Sequence, residues 1–163
     1  MTRRLLLLTG IPGTGKTTIG EYLERSHGFR HVNREIHDPR EFTDDPGAFL
    51  RRSEDDVVAT WGFRPTAHED LHGVIGLCTL GFKGVWLDGP RPWALTQILK
   101  ARPESESDFY LQMRNIEASG IRKTLGFPVV NPFGTTGHVR DKAEIARESL
   151  AVFEQSHEEP SAH

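Results

Sequence analysis

The alternation of apolar and polar positions divides the chain into strand and helix segments. Leu5 to Leu8 is a continuous apolar run, short enough for a strand buried on both faces. Ile19, Tyr22 and Leu23 then recur at helical spacing, which predicts a helix from about Gly15 to Arg25, ended by His27-Gly28. Phe29 to Val32 reads as a second strand, and the polar stretch from Asn33 to Pro39 follows it. Thr43-Asp44-Asp45-Pro46 is a helix-start signal, with Pro46 at the first helical position and an end near Ser53. Val57 to Trp61 is a third strand that leaves through Gly62-Phe63-Arg64-Pro65. Leu71, Val74, Ile75 and Cys78 make a helical stripe that Gly81 stops. Val85 to Leu87 is a fourth strand, followed by Asp88-Gly89-Pro90-Arg91-Pro92 and a helix from Trp93 to Ala101. A polar link from Arg102 to Ser107 leads to a helix marked by Phe109, Met113 and Ile116. Phe127 to Val130 is the fifth strand. Asp141 with Glu144 resembles a capping box opening a last helix faced by Ala146, Leu150 and Phe153, and the tail from Ser156 to His163 is polar.

Five strands alternating with helices predict an α/β fold, a five-stranded parallel sheet with helices on both faces. Ligands of such sheets sit at the carboxyl ends of the strands. The candidate residues therefore lie in the strand exits and in the link after Ala101. A length of 163 residues fits one domain with room for a core. The net charge of -3 gives no global field for gripping nucleic acid. Cys78 is the sole cysteine, so no intrachain disulfide can form. His27, His31, His37, His68, His72 and His138 show no metal-ligand spacing. His68 and His72 are four apart but lack the glutamate of a zinc-protease helix, and they read as a solvated face. No apolar stretch is long enough to cross a membrane, and the cytoplasm is the expected location.

One stretch carries chemistry outright. Gly10-Ile11-Pro12-Gly13-Thr14-Gly15-Lys16-Thr17 reads G-x-x-x-x-G-K-[ST], between the first strand and the first helix, and this is the P-loop pattern. Gly10, Gly13 and Gly15 let the backbone wrap a polyphosphate. The amides through Thr14, Gly15, Lys16, Thr17 and Thr18 point inward, and the helix adds its positive end. Lys16 reaches the β- and γ-phosphates, and the Thr17 hydroxyl is the candidate Mg²⁺ ligand. The expected ligand is ATP with Mg²⁺.

With the motif and the strand order in place, the chain resembles the small P-loop kinases, the group of shikimate kinase, adenylate kinase and the phage polynucleotide kinases. The local resemblance is to the polynucleotide kinase domain, whose second strand ends in an Asn-Arg-Asp pattern. Gly28-Phe29-Arg30-His31-Val32-Asn33-Arg34-Glu35 has that layout, with Glu35 in the place of the acid that acts as general base. Asp38 is the reserve base. The resemblance also implies a lid over about residues 101–120. There Arg102 would stabilise the transferring phosphoryl group, and Arg114 on the next helix would face the phosphates. The loop Asn131-Pro132-Phe133-Gly134-Thr135-Thr136-Gly137 would border the adenine, through Gly134 and Thr135. Arg34, Asp38, Trp61 and Arg64 are the substrate-side candidates, and aromatic surface beside a guanidinium suits a ring-bearing or anionic acceptor. The segment Gly84 to Arg91 looks like the Asp-Gly-Phe-Pro-Arg stretch of adenylate kinases. Two strand candidates already separate it from the P-loop, so Asp88 reads as a turn or capping residue. These features imply a kinase acting on a hydroxyl of a small metabolite or nucleoside-type acceptor. A nucleic-acid hydroxyl is the alternative acceptor, and a nucleotide-dependent switch is the third class.

Overall fold

The computed structural model describes residues 2–34, 42, 44–62 and 67–154, with the backbone alone for 67–70. The strands are β1 (Leu5–Gly10), β2 (Arg30–Asn33), β3 (Val57–Thr60), β4 (Lys83–Leu87) and β5 (Val129–Val130). The helices among the described residues are α1 (Lys16–His27), α2 (Pro46–Arg51), α3 (Ala67–Thr79), α4 (Arg91–Ala101), α5 (Glu106–Ser119), α6 (Ile121–Leu125) and α7 (Lys142–Glu154). The sheet has the order β2-β3-β1-β4-β5, and every neighbouring pair is parallel.

The leucine run explains why β1 is central. Successive side chains point to opposite faces. Leu5 and Leu7 therefore join Val74 and Leu77 of α3 and Phe109, Met113 and Ile116 of α5 on one face. Leu6 and Leu8 join Ile19 and Leu23 of α1 and Ile145 and Ala146 of α7 on the other. All four leucines are buried, as a strand covered on both faces requires.

The structure departs from the sequence pattern at several ends. β1 runs two residues beyond its apolar run, because Thr9 and Gly10 continue the ladder opposite Trp86 and Leu87. β5 is only two residues long. Pro128 cannot donate to a ladder, although its carbonyl accepts from Trp86 N at 2.9 Å. In α3, Ile75 points outward at 45 % exposure, and Leu77 takes the buried position expected of it. The short helix α6 was not in the sequence pattern, and left-handed glycines at Gly120 and Gly126 bound it on either side. The capping box of α7 is half formed. Asp141 Oδ1 accepts from Ala143 N, whereas Glu144 turns to Arg140.

Candidate active site

The P-loop leaves β1 at Gly10 and feeds α1 at Lys16. Two of its glycines have different reasons. Gly13 has φ +82°, and a Cβ there would lie 2.2 Å from the Ala94 carbonyl oxygen, so the loop rests directly on the α4 backbone. Gly15 is the N-cap of α1 at φ +79°, and a Cβ there would meet nothing within 4 Å. No side chain caps α1. Its first amides and its dipole therefore face the cleft, which is an anion-binding arrangement. The Thr14 hydroxyl pins the loop by donating to the Ile11 carbonyl at 2.9 Å. Lys16 Nζ donates to the same carbonyl at 2.7 Å, so the ammonium lies across the mouth of the loop.

A cleft of about 530 Å³ opens above this loop. Its phosphate side is Gly13, Gly15, Lys16 and Thr17, and its floor is Asn33, Thr60, Trp61 and Gly62 at the exits of β2 and β3. Its far wall is Arg102 with Ser105, Asp108, Phe109 and Gln112 at the start of α5. The cleft therefore lies at the carboxyl ends of the parallel strands, the edge at which such sheets present their ligand sites.

Asn33 is the residue that sequence reasoning passed over. Its side chain is only 2 % exposed, and its amide donates to Thr17 Oγ1 at 3.3 Å. β2 is itself clamped to α1 because Glu24 accepts from His31 N at 2.8 Å. The His31 ring bonds the Thr60 hydroxyl at 2.8 Å, and Gly20 leaves the space that this ring fills. Thr17 thus has a buried polar partner and an open side toward the cleft. Among the described residues, no three His, Cys, Asp or Glu side chains come together as metal ligands. A single hydroxyl held in place fits Mg²⁺, which keeps waters and leans on substrate phosphates rather than on a protein cage.

A second hollow, of about 300 Å³, lies on the outer side of the loop. Thr14 and Thr18 border it, as do Gln97 of α4, Pro132, Val139 and Arg140. Arg140 is held rigidly, donating to the Asn131 carbonyl at 2.7 Å and pairing with Glu144 and Glu148 at 2.8 Å each. The hydrogen bonds it donates to Glu148 and then Glu144 push its pKa further up, so it stays charged at any working pH.

The structure brings Lys16, Thr17, Trp61 and Arg102 to one cleft. Arg34 stacks over the Trp61 ring at 3.8 Å, and the indole edge rests on Gly73 of α3. Trp61 Nε1 is buried without a hydrogen-bond partner among the described residues. A buried donor left unsatisfied costs about 1–3 kcal/mol. Arg114 is exposed on α5 and is not among the cleft-lining residues. The cleft face of that helix is instead Asp108, Phe109 and Gln112, and Arg114 falls outside that spacing. Gly134 and Thr135 do not border the outer hollow, where their neighbours Pro132, Phe133, Val139 and Arg140 do. Gly134 closes its own turn, its amide donating to the His138 carbonyl at 2.8 Å. Asp88 accepts from Gly89 N at 2.9 Å and pairs with Arg122 at 2.6 Å. Glu35, Asp38 and Arg64 lie outside the described residues.

Comparison with solved structures gives the same architecture. A shikimate kinase from Acinetobacter baumannii in complex with shikimate superposes with a TM-score of 0.64 at 15% identity, covering 97% of each chain. A gluconokinase from Sinorhizobium meliloti 1021 superposes with a TM-score of 0.60 at 18% identity, covering 96% of this chain and 95% of that one. A shikimate kinase from Aquifex aeolicus gives 0.54 at 20% identity over 94% and 98%. No protein-family model and no curated protein matches the chain. The fold is that of the small P-loop kinases.

Proposed function

We propose that this protein is an ATP-dependent kinase that transfers the γ-phosphate to a hydroxyl of a small acceptor. The observation that carries the reading is the single cleft in which Lys16 and Thr17 face Asn33 and Trp61, with Arg102 closing the far side. A triphosphate in the loop would place its γ-phosphate at the floor formed by the exits of β2 and β3. The enzymes named among the structural neighbours, shikimate kinase and gluconokinase, support a small acceptor.

In this reading the acceptor oxygen forms a bond to the γ-phosphorus while the bond to the β–γ bridging oxygen breaks. ADP leaves with the electron pair of that bond. The hydroxyl proton passes to a carboxylate. Glu35, with Asp38 in reserve, remains our proposed base, and Asp108 is the carboxylate that lines the cleft among the described residues. The amides of the loop and Lys16 hold the charge of the β- and γ-phosphates. Arg102 meets charge that grows on the transferring group. Mg²⁺, when bound through Thr17, supplies further neutralisation of the phosphate oxygens. Trp61 and Phe109 exclude water from the acceptor side, which suppresses hydrolysis. Thr18, Arg140 and Val139 would border the nucleobase. Among the described residues no helix is long and apolar enough to cross a membrane. An ATP-consuming enzyme of this kind belongs in the cytoplasm.

A radiolabelled γ-phosphate screen across sugars, nucleosides, amino alcohols and oligonucleotides tests the reading. Lys16→Ala should lower transfer by about 10²–10³-fold or more, because it removes the charge nearest the γ-phosphate. Wild-type turnover in that variant would refute kinase chemistry at this loop.

A further inference from the structure

Past Arg102, the far wall of the cleft is the start of α5. Ser105, Asp108 and Gln112 line the cleft from it, at the i, i+3, i+7 spacing of one helix face. None of these three side chains, nor that of Arg102, makes a hydrogen bond or ion pair among the described residues. Ser105 is 9 % exposed and is the N-cap of α5, yet its hydroxyl caps nothing. Asp108 stands at the third helical position, from which an acidic side chain can reach back to the N-cap amide. That amide donates instead to the Arg102 carbonyl at 3.1 Å. The helix dipole favours an acid in this turn, but Glu106 already supplies one. The helix therefore leaves a buried hydroxyl, a carboxylate and an amide turned to the cleft.

Charge says what this wall takes. The turn from Arg102 to Ser105 is closed by its own hydrogen bond, so Arg102 and Asp108 keep a fixed spacing and do not pair. The net negative charge of MgATP matches Lys16 and Arg102 on the phosphate side. Asp108 is then the one charge lining the cleft, among the described residues, that the nucleotide leaves unmatched. Arg34 does not match it, because Arg34 stacks on Trp61 and lines the separate hollow between α2 and α3. An ionised carboxylate only accepts hydrogen bonds and is repelled by a second carboxylate. The net charge of -3 also disfavours an anionic acceptor at long range.

We propose that Asp108 is the acceptor-recognising residue, and that the acceptor is a hydroxyl compound carrying an ammonium group, an amino alcohol or amino sugar. The ammonium pairs with Asp108, and Ser105 and Gln112 bond the neighbouring hydroxyls. The proposal rests on the small-acceptor kinase reading and leaves the proton to the base named there. It separates this chain's acceptor from gluconate and shikimate, which are carboxylates.

The test uses the whole protein and three sets of probes that share a skeleton but carry an ammonium, no charge or a carboxylate. They are glucosamine, glucose and gluconate; serinol, glycerol and glycerate; and deoxystreptamine, inositol and quinate. Calorimetry on protein saturated with Mg²⁺ and an unhydrolysable ATP analogue reads binding, and γ-phosphate transfer reads kcat and KM. In at least one set the ammonium member should bind about tenfold or more tightly than its two counterparts. Asp108→Asn should weaken that member about 10–100-fold, mostly in KM, and erase the preference. Asp108→Glu should keep part of it, and Asp108→Lys should turn the preference toward the carboxylate member. A wild type that prefers no ammonium member in any set overturns the proposal. So does an ammonium preference that survives in Asp108→Asn. A fall in kcat with unchanged KM in that variant also overturns it, since Asp108 would then be the base. Binding of the nucleotide analogue without an ammonium preference refutes this role of α5 alone, whereas no nucleotide binding removes the kinase reading on which it rests.

Discussion

Thr17 can hold a metal only if its hydroxyl is oriented, and Asn33 is the group that orients it. The amide is neutral, so it fixes direction without adding charge beside the phosphates. Loss of such an outer partner typically costs 10–100-fold in metal affinity. Asn33→Ala should therefore raise the Mg²⁺ concentration needed for half-maximal turnover by about 10–100-fold, with a smaller change in turnover at saturating Mg²⁺. Asn33→Asp should lower it, because a carboxylate accepts the Thr17 proton and attracts the cation. Mn²⁺ binding to the ADP complex, followed by electron paramagnetic resonance, reads the same order without catalysis. Identical metal curves for all three proteins would make Asn33 a purely structural residue. At this scale the P-loop was fully legible, since eight adjacent residues carry its geometry. Asn33 stood inside the quoted Asn-Arg-Glu stretch, but its burial follows from the pairing of β2 with β3, with Asn33 opposite Thr60, which adjacency in sequence does not show.

The loop and its neighbouring helices make sharper statements together than singly. Gly13 and Gly15 share a positive φ near +80°, yet only Gly13 presses on another backbone, that of α4. Gly13→Ala should therefore lower the thermal midpoint clearly more than Gly15→Ala. The latter carries only the left-handed term of about 1–2 kcal/mol. Equal falls in calorimetry would mean that the contact with Ala94 relaxes freely. Arg102 ends α4, its amide bonded to the Ile98 carbonyl at 2.8 Å, so its side chain starts from a fixed point at the cleft rim. Arg102→Ala should lower kcat by about 10²–10³-fold while changing the ATP KM little, because the partner charge develops in the transition state. Arg102→Lys should recover part of that, since an ammonium keeps the charge but loses the planar fork. An unchanged kcat in the alanine variant would return Arg102 to the solvated surface. Element identity was legible from periodicity, but helix phase was not. The apolar residues Phe109, Met113 and Ile116 located α5, and only the seating of that helix shows Asp108 and Gln112 turned to the cleft and Arg114 turned elsewhere.

Across the whole molecule, alternating strands and helices made the parallel sheet readable, and the carboxyl-end rule then collected the P-loop, the β2 and β3 exits and Arg102 in one place. The lateral order β2-β3-β1-β4-β5 was not readable, because it depends on contacts between segments far apart in the chain. That order sets β3 rather than β4 beside β2, and so brings Trp61 to the cleft above the P-loop while Asp88 is tied to Arg122. The same scale decides between acceptors. With 20 basic and 23 acidic side chains the molecule repels a polyanion at long range, so a nucleic-acid acceptor would have to be held by local phosphate contacts. Each neutralised phosphate releases counterions, and the affinity for a single strand falls with a log–log salt slope of about -0.7 per contact. A neutral small acceptor releases none. Its KM should therefore stay within about twofold between low and moderate salt at fixed MgATP, while an oligonucleotide held by several phosphates should weaken about tenfold or more. The measurement is acceptor KM against salt for the substrate found in the transfer screen. A steep slope together with efficient phosphorylation of an oligonucleotide would overturn the small-acceptor reading and restore the polynucleotide alternative implied by Asn33-Arg34-Glu35.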